Sequence, residues 1–184
     1  SVENAQTEAA KTEGKDSVTV TLAWDPNTLA PNGNSTVSGG FTASQIYDQL
    51  WNLTDGELVM RVATGYEKED DTHYIITIQS GIKDTAGNDI KASDVLFSLE
   101  LAKNGSQGFP GAVRYSLSMG NLVSQASYEA SSDGMVTTPV GSGPYMLSEY
   151  VTGSYVKMDY NPDYWGGGDP AIKHVTVNFV SEAS

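Results

Sequence analysis

The sequence predicts a mixed α/β or α+β domain, on three observations. Strict alternation of apolar and polar residues recurs at separate places along the chain, which is the period of a half-buried strand. Apolar residues at helical spacing fall between those places, and the two patterns do not follow each other in the regular rhythm of βαβ units. A chain of 184 residues suits one domain-sized core, and a chain that long buries roughly 70% of the surface it exposes when unfolded. Hydrophobic residues make up 39% of it, with no run near the ~18 apolar residues a membrane-spanning helix needs.

Residues 1–16 are Ser, Glu, Ala, Thr, Lys, Gln and Asn with almost no large apolar side chain. They cannot offset the entropy of ordering and read as a flexible tether. From Ser17 the pattern changes: Val18, Val20, Leu22 and Trp24 alternate with Thr19, Thr21 and Ala23 in a strand that ends at Asp25-Pro26. An irregular stretch follows to Gly40. Thr42 with Gln45 three residues on then forms a capping-box start for a helix whose apolar face is Ile46, Tyr47, Leu50 and Trp51. Tyr74, Ile76 and Ile78 mark a second strand, and the run Asp84-Thr85-Ala86-Gly87-Asn88 supplies turn chemistry. A helix is predicted over 94–104, with Val95, Leu99 and Ala102 as its buried stripe and Gly105 as its stop. Residues 106–133 carry no clear pattern. Beyond them, 145–150, then Val156, Met158 and Tyr160, then Val175, Val177 and Phe179 read as three more strands.

Composition excludes several kinds of chemistry. There is no cysteine, so disulfides, thiolate metal sites and a Cys nucleophile are ruled out. A net charge of −13, from 23 acidic and 10 basic residues, repels phosphate backbones and anionic lipid surfaces, so neither nucleic acid nor a membrane surface is an expected partner. His73 and His174 have no second His or carboxylate at ligand spacing and read as structural or surface residues. Ser142, in Gly141-Ser142-Gly143-Pro144, reads as a turn, because a nucleophile elbow needs one residue on each side between Ser and Gly. The same glycines lack the third Gly of a dinucleotide fingerprint. Glu67, Glu69, Asp70 and Asp71 form an acidic run that reads as a solvated loop. Sequons at Asn34, Asn52 and Asn104 matter only in a eukaryotic secretory pathway. Tyr160, Tyr164 and Trp165 are candidates for a ligand platform or, on the same physics, for packing a turn on the sheet. The residues alone therefore give an acidic mixed α/β domain without a visible catalytic or metal centre.

One segment is more specific. The run PVGSGPYMLSEYVTGSYVKMDYNPDYWGGGDPAIKHVTVNFV, residues 139–180, resembles a hallmark of family 5 extracellular solute-binding proteins, the oligopeptide-, dipeptide- and nickel-binding components of ABC importers. Gly141, Gly143, Pro144, Tyr145, Asn161, Pro162, Tyr164 and Trp165 carry the match. Two further stretches agree in order: 25–53, with Leu29-Ala30-Pro31 and Tyr47-Asp48-Gln49-Leu50, and 56–101, with Glu57-Leu58, Ala63 and the turn GIKDTAGNDIKASDV. Lys91 stands where the family commonly has a capping Thr or Ser, which implies a weaker helix cap.

The resemblance implies an α+β or mixed α/β architecture of the periplasmic-binding-protein-like type (class II, peptide-binding), comprising lobe I with a small accessory domain. Lobe I would be discontinuous, from 17–41 and 139–184, with 42–138 as the accessory insertion and the second ligand-binding lobe absent, as in an excised or truncated piece. The implied function is the substrate-binding component of an ABC importer, holding a peptide or other small solute and delivering it to the permease subunits. No catalysis and no cofactor are implied. Extended backbone at Ser35, Thr36 and Val37 would pair with a peptide ligand by strand addition. The implied setting is extracellular or periplasmic, for a monomer that meets the membrane only through a lipid anchor removed from this chain. The alternatives are a secreted hydrolase using the acidic run and a non-catalytic cell-surface structural domain.

Overall fold

The computed structural model describes residues 16–33, 36–104 and 120–180. Residues 1–15 of the expected tether, Asn34, Ser35, the predicted helix stop at Gly105 and the rest of 105–119 lie outside the described residues.

Period-2 alternation builds the larger sheet. Strands β1 (Ser17–Ala23), β6 (Tyr145–Val151), β7 (Tyr155–Tyr160) and β8 (His174–Val180) form a four-stranded sheet in the order β1-β8-β7-β6. β1 runs parallel to β8, pairing Ser17 with His174 and Ala23 with Val180, and the β6–β7 hairpin continues antiparallel beyond β8. The first and last described strands are thus neighbours. On β8 the alternation is visible as burial: Val175, Val177 and Phe179 are buried, and Thr176 and Asn178 are half-buried.

Helix α1 (Val37–Ile46) begins five residues before the expected start at Thr42. Thr36 is its N-cap, and its Oγ1 accepts the Gly39 N–H at 3.1 Å. Gly39 and Gly40 disguise this first turn, because Gly is about 1 kcal/mol poorer than Ala in a helix. Thr42 is buried inside the helix and donates its hydroxyl to the Ser38 carbonyl. The helix ends at Ile46, so Leu50 and Trp51 are not on its face. Trp51 instead opens β2 (Trp51–Thr54), which pairs with β3 (Glu57–Met60) across Asp55-Gly56. Both turn residues have positive φ, 52° and 82°, the requirement of a type I′ hairpin. A second two-stranded sheet joins β4 (Ala63–Lys68) to β5 (Tyr74–Ile78).

Helix α2 (Ala92–Asn104) carries the predicted buried Val95 and Ala102. Lys91 cannot cap it with a side-chain acceptor. Asp94 supplies the other half of a capping box, accepting the Lys91 N–H at 2.8 Å through one oxygen and the Gln125 N–H at 2.8 Å through the other. The second bond ties α2 to α3 (Gln125–Ala130), a short helix in the stretch the sequence left unassigned.

The buried apolar residues form two clusters. One lies on the larger sheet and joins Val156, Met158, Val175, Val177 and Phe179 to Leu29, Ile46, Tyr47, Val123 and Met135. The other joins Leu50, Trp51, Val62, Ala63, Ile82, Ile90, Val95 and Leu122. The chain passes from the first cluster to the second between Tyr47 and Leu50 and returns between Leu122 and Val123. No described helix is long and apolar enough to cross a membrane.

Candidate functional site

Two places concentrate polar chemistry, one at each end of the larger sheet. At the start of β6, the turn through Gly141 and Gly143 lies directly on the end of α1. A Cβ on Gly141 would stand 2.1 Å from the Ile46 carbonyl oxygen, and one on Gly143 would stand 2.6 Å from that of Gln45. Only glycine allows this approach, and the Gly143 N–H uses it to donate to the Ile46 carbonyl at 2.8 Å. Just past the helix end, Asp48 is buried where the chain crosses between the clusters. Its carboxylate accepts from Trp165 Nε1 at 2.6 Å, Ser142 Oγ at 3.1 Å and the Tyr164 hydroxyl at 3.3 Å, with Arg61 3.7 Å away. Burial raises the Asp48 pKa, opposed by the Trp165 and Ser142 hydrogen bonds and the Arg61 charge. Tyr164 is pushed up to about 12, first by burial and then by the Asp48 charge.

This joint answers several sequence-level questions. Ser142 is a buried turn residue whose hydroxyl serves Asp48. Tyr164 and Trp165 pack the turn that Asn161 closes, with the Tyr164 N–H donating to the Asn161 carbonyl at 3.1 Å. Tyr160 meets Tyr145 edge-on at 6.1 Å between ring centres and donates its hydroxyl to the Gly168 carbonyl. Asp48 was missed as a key residue; its signal was a carboxylate inside the apolar run from Ile46 to Leu53, where a charge is buried only with partners.

At the other end of the sheet lie the carboxyl ends of β1 and β8 and the β6–β7 turn. Trp24 follows β1, donates its N–H to the Val180 carbonyl at 3.0 Å, and is 55% exposed. Its φ is +63°, a left-handed conformation that costs an L-residue about 1–2 kcal/mol. Asp25 holds the exit: one carboxylate oxygen accepts the Tyr150 hydroxyl at 2.6 Å and the other accepts the Gly153 N–H. Burial and the Asp25 carboxylate together raise the Tyr150 pKa. Further along, Leu29 is buried under the Tyr47 hydroxyl, which donates to its carbonyl at 3.0 Å. Asn32 donates to the Ser98 and Asn121 carbonyls and accepts the Asn121 N–H at 3.1 Å. The exit from β1 is therefore fixed along much of its length. Because α1 packs on β1 and β6 and its C-terminal turn sits at the start of β6, its N-terminus is directed toward the carboxyl ends of β1, β6 and β8.

Of the residues expected to meet ligand, Ser35 lies outside the described residues. Thr36 is extended, with φ −80° and ψ 158°, and caps α1. Val37 is the first helical residue and is 83% exposed. Val37 is helical and not extended because the Thr36 cap starts the helix there. The histidines do have carboxylate neighbours once the chain folds: His73 Nδ1 is 2.8 Å from Asp70, and His174 Nδ1 is 2.7 Å from Asp159. All four side chains are well exposed, and no group of three or more His, Cys, Asp or Glu able to hold a metal occurs among the described residues. Asp70 closes a tight turn, and hydrogen bonds from Thr72, followed by His73, lower its pKa to about 2.

Residues 109–184 match the family model described as bacterial extracellular solute-binding proteins, family 5 Middle. Over that stretch the chain is similar to the family 5 extracellular solute-binding proteins. The nickel-binding protein NikA of Staphylococcus aureus is 25% identical over 159 residues, which cover 74% of this chain and 32% of NikA. The glutathione-binding protein GsiB of Salmonella typhimurium is 26% identical over 197 residues, covering 90% of this chain and 38% of GsiB. Among solved structures, the oligopeptide-binding protein AppA of Bacillus subtilis, in complex with a nonapeptide, superposes with a TM-score of 0.75 at 16% identity over 89% of this chain and 40% of AppA. The fold is accordingly that of a periplasmic-binding-protein-like lobe, and the chain spans about a third to two-fifths of the length of these proteins.

Proposed function

We propose that the chain forms one wall of the ligand cleft of a family 5 substrate-binding component of an ABC importer. It would act outside the membrane on a peptide or similar small solute and would catalyse nothing. The observation that carries this reading is the shared fold: β1 pairs in parallel with β8, and the family hairpin lies beside them. In open sheets of this kind, ligands lie outside the carboxyl ends of the strands. That end holds the exposed Trp24, the Asp25 clamp and, by the direction of α1, Thr36 and Val37. Ser35 and Thr36 would offer backbone groups to an extended ligand, Val37 the free N–H groups of a helix start, and Trp24 a ring to stack on it. The sheet cluster would be lobe I and the Trp51 cluster the accessory unit. The opposing wall would come from residues corresponding to the remaining length of the relatives. Closure of two walls on a ligand that touches both is a population shift toward the closed form, which the permease would recognise.

The relatives bind nickel, glutathione and a nonapeptide, so the class of small solute is set by the opposing wall as much as by this one. The 184-residue chain by itself is expected to show no micromolar peptide binding in titration calorimetry, since half of the contacts are supplied elsewhere. Micromolar binding would overturn the one-wall reading. A polypeptide extended to the relatives' length is expected to bind, and Trp24→Ala in it to weaken binding about tenfold, the scale of one stacked aromatic. Hydrolytic turnover that disappears in Asp70→Ala would replace this reading with the secreted-hydrolase one.

A further inference from the structure

At the amino end of β6, opposite the proposed cleft, a pocket of about 490 Å³ is lined by Met60, Arg61, Pro144, Tyr164, Trp165 and Gly166. That volume is within the ~300–1,000 Å³ of sites for small molecules. Arg61 is the one arginine among the described residues of a chain with a net charge of −13, and its side chain is 41% exposed. A guanidinium among aromatic walls needs a reason. Asp48 beneath it is not a sufficient one, because three neutral donors at 2.6–3.3 Å already serve that carboxylate. Arg61 stands 3.7 Å from the nearest Asp48 oxygen, and among the described residues the only hydrogen bond of its side chain is a long one to the Tyr164 hydroxyl at 3.4 Å. Most of its five N–H donors are therefore left for the pocket. The walls are preformed. Gly166 lies so close to the Tyr164 ring that a Cβ would come within 2.5 Å of it, and the Gly167 N–H donates back to the Tyr164 carbonyl at 2.9 Å.

We propose that this pocket binds a small organic carboxylate with an aromatic or aliphatic body. The Arg61 fork would take the carboxylate in the planar, two-bond manner it favours. Trp165, Met60 and Pro144 would cover the body. A single guanidinium above a buried carboxylate, in an acidic molecule, suits one negative charge and not a phosphate dianion. The site does not depend on the cleft reading, because it lies at the other end of the sheet.

The test uses the 184-residue chain, with phenylacetate as the probe and phenylacetamide as its uncharged counterpart, followed by two-dimensional NMR of backbone and indole N–H groups. Phenylacetate is expected to shift the Trp165 indole and the amides of Met60 and Arg61, and phenylacetamide to bind about tenfold more weakly or worse, the scale of a charge-assisted pair. Arg61→Gln is expected to cause a similar loss. Since that change also alters the surroundings of Asp48, a second variant is needed: Met60→Glu sets a like charge at the mouth from a residue already 38% exposed, and it too should weaken binding about tenfold or more with the fold intact by circular dichroism. Absence of phenylacetate binding would overturn the proposal, as would equal binding of acid and amide, or shifts confined to the Trp24 end. So would wild-type affinity in both variants.

Discussion

The larger sheet and the pair of small hairpins both bury apolar side chains, but they do so by different means. In the sheet, each strand is six residues or longer, and β8 buries Val175, Val177 and Phe179 on one face of a single element. In the second cluster no element buries a whole face in that way: β5 alternates, but its Ile76 and Ile78 are only half-buried against the cluster. Trp51 comes from a four-residue strand, Val62 from a connection, Ile82 and Ile90 from the two sides of a turn, and Leu122 from a loop. A strand of four residues is too short to show a period, so its burial is decided by what lies across from it in space. The difference teaches that the sheet core is local in origin and the hairpin core is collective, and that the Asp48 joint has to hold two dissimilar cores together.

That contrast can be tested from its largest expected effect downward. Trp51 is fully buried and meets Tyr66 edge-on at 5.3 Å, so Trp51→Ala should cost about 3–5 kcal/mol. If the second cluster is collective, urea unfolding of this variant followed by near-ultraviolet circular dichroism should show that cluster melting before the sheet. A single coincident transition would mean that the joint couples the two cores completely. Next, Gly141→Ala drives a Cβ into the Ile46 carbonyl and should cost on the order of 3 kcal/mol, at the upper end of overpacking penalties. The same measurement should then show the two transitions drawing apart, because the contact between α1 and the β6 turn is the joint itself.

The smallest effects are those of pH. Burial raises the Asp48 pKa, so the unfolded chain gives up that proton first as pH climbs. Asp48 therefore favours the folded state at low pH, and this contribution is lost as pH rises through its elevated pKa. Asp70 and Asp133 are lowered to about 2 by hydrogen bonds, led by those from Thr72 and from the Thr137 side chain. Their contribution is present above the ordinary carboxylate range and is lost as pH falls toward 2. Urea midpoints taken across this range should show Asp48→Asn changing only the upper limb, and Asp70→Asn with Asp133→Asn flattening only the lower one.

Particular residues show where reading the sequence stopped. β1, β5, β7 and β8 are legible because alternation needs no partner to be recognised, and β6 because it follows the Gly141–Pro144 turn. The β2–β3 hairpin is hidden at its first residue, since Leu50 and Trp51 also fit a helical stripe, and its four-residue strands are too short to show a period of their own. The start of α1 was hidden by Gly39-Gly40, and only the Thr36 cap and the packing of the helix on β1 and β6 settle it. Of the candidate site, Thr36 and Val37 were placed by resemblance, whereas Trp24, Asp25 and Arg61 became visible only through their surroundings. Asp25 bonds to residues 125 and 128 positions away, a spacing that no local pattern records.

The sequence by itself determined the strand periods, the acidic surface, the exclusion of thiol chemistry and the glycine-rich turn with its family likeness. Each of these is a property of residues near one another in the chain. Tertiary structure alone decided that Asp48 gathers Ser142, Tyr164 and Trp165, that Trp24 stands strained and exposed at the strand ends, and that Arg61 faces a pocket. Burial, desolvation and hydrogen bonding act through space, and a residue's share of them is undefined until distant segments have met.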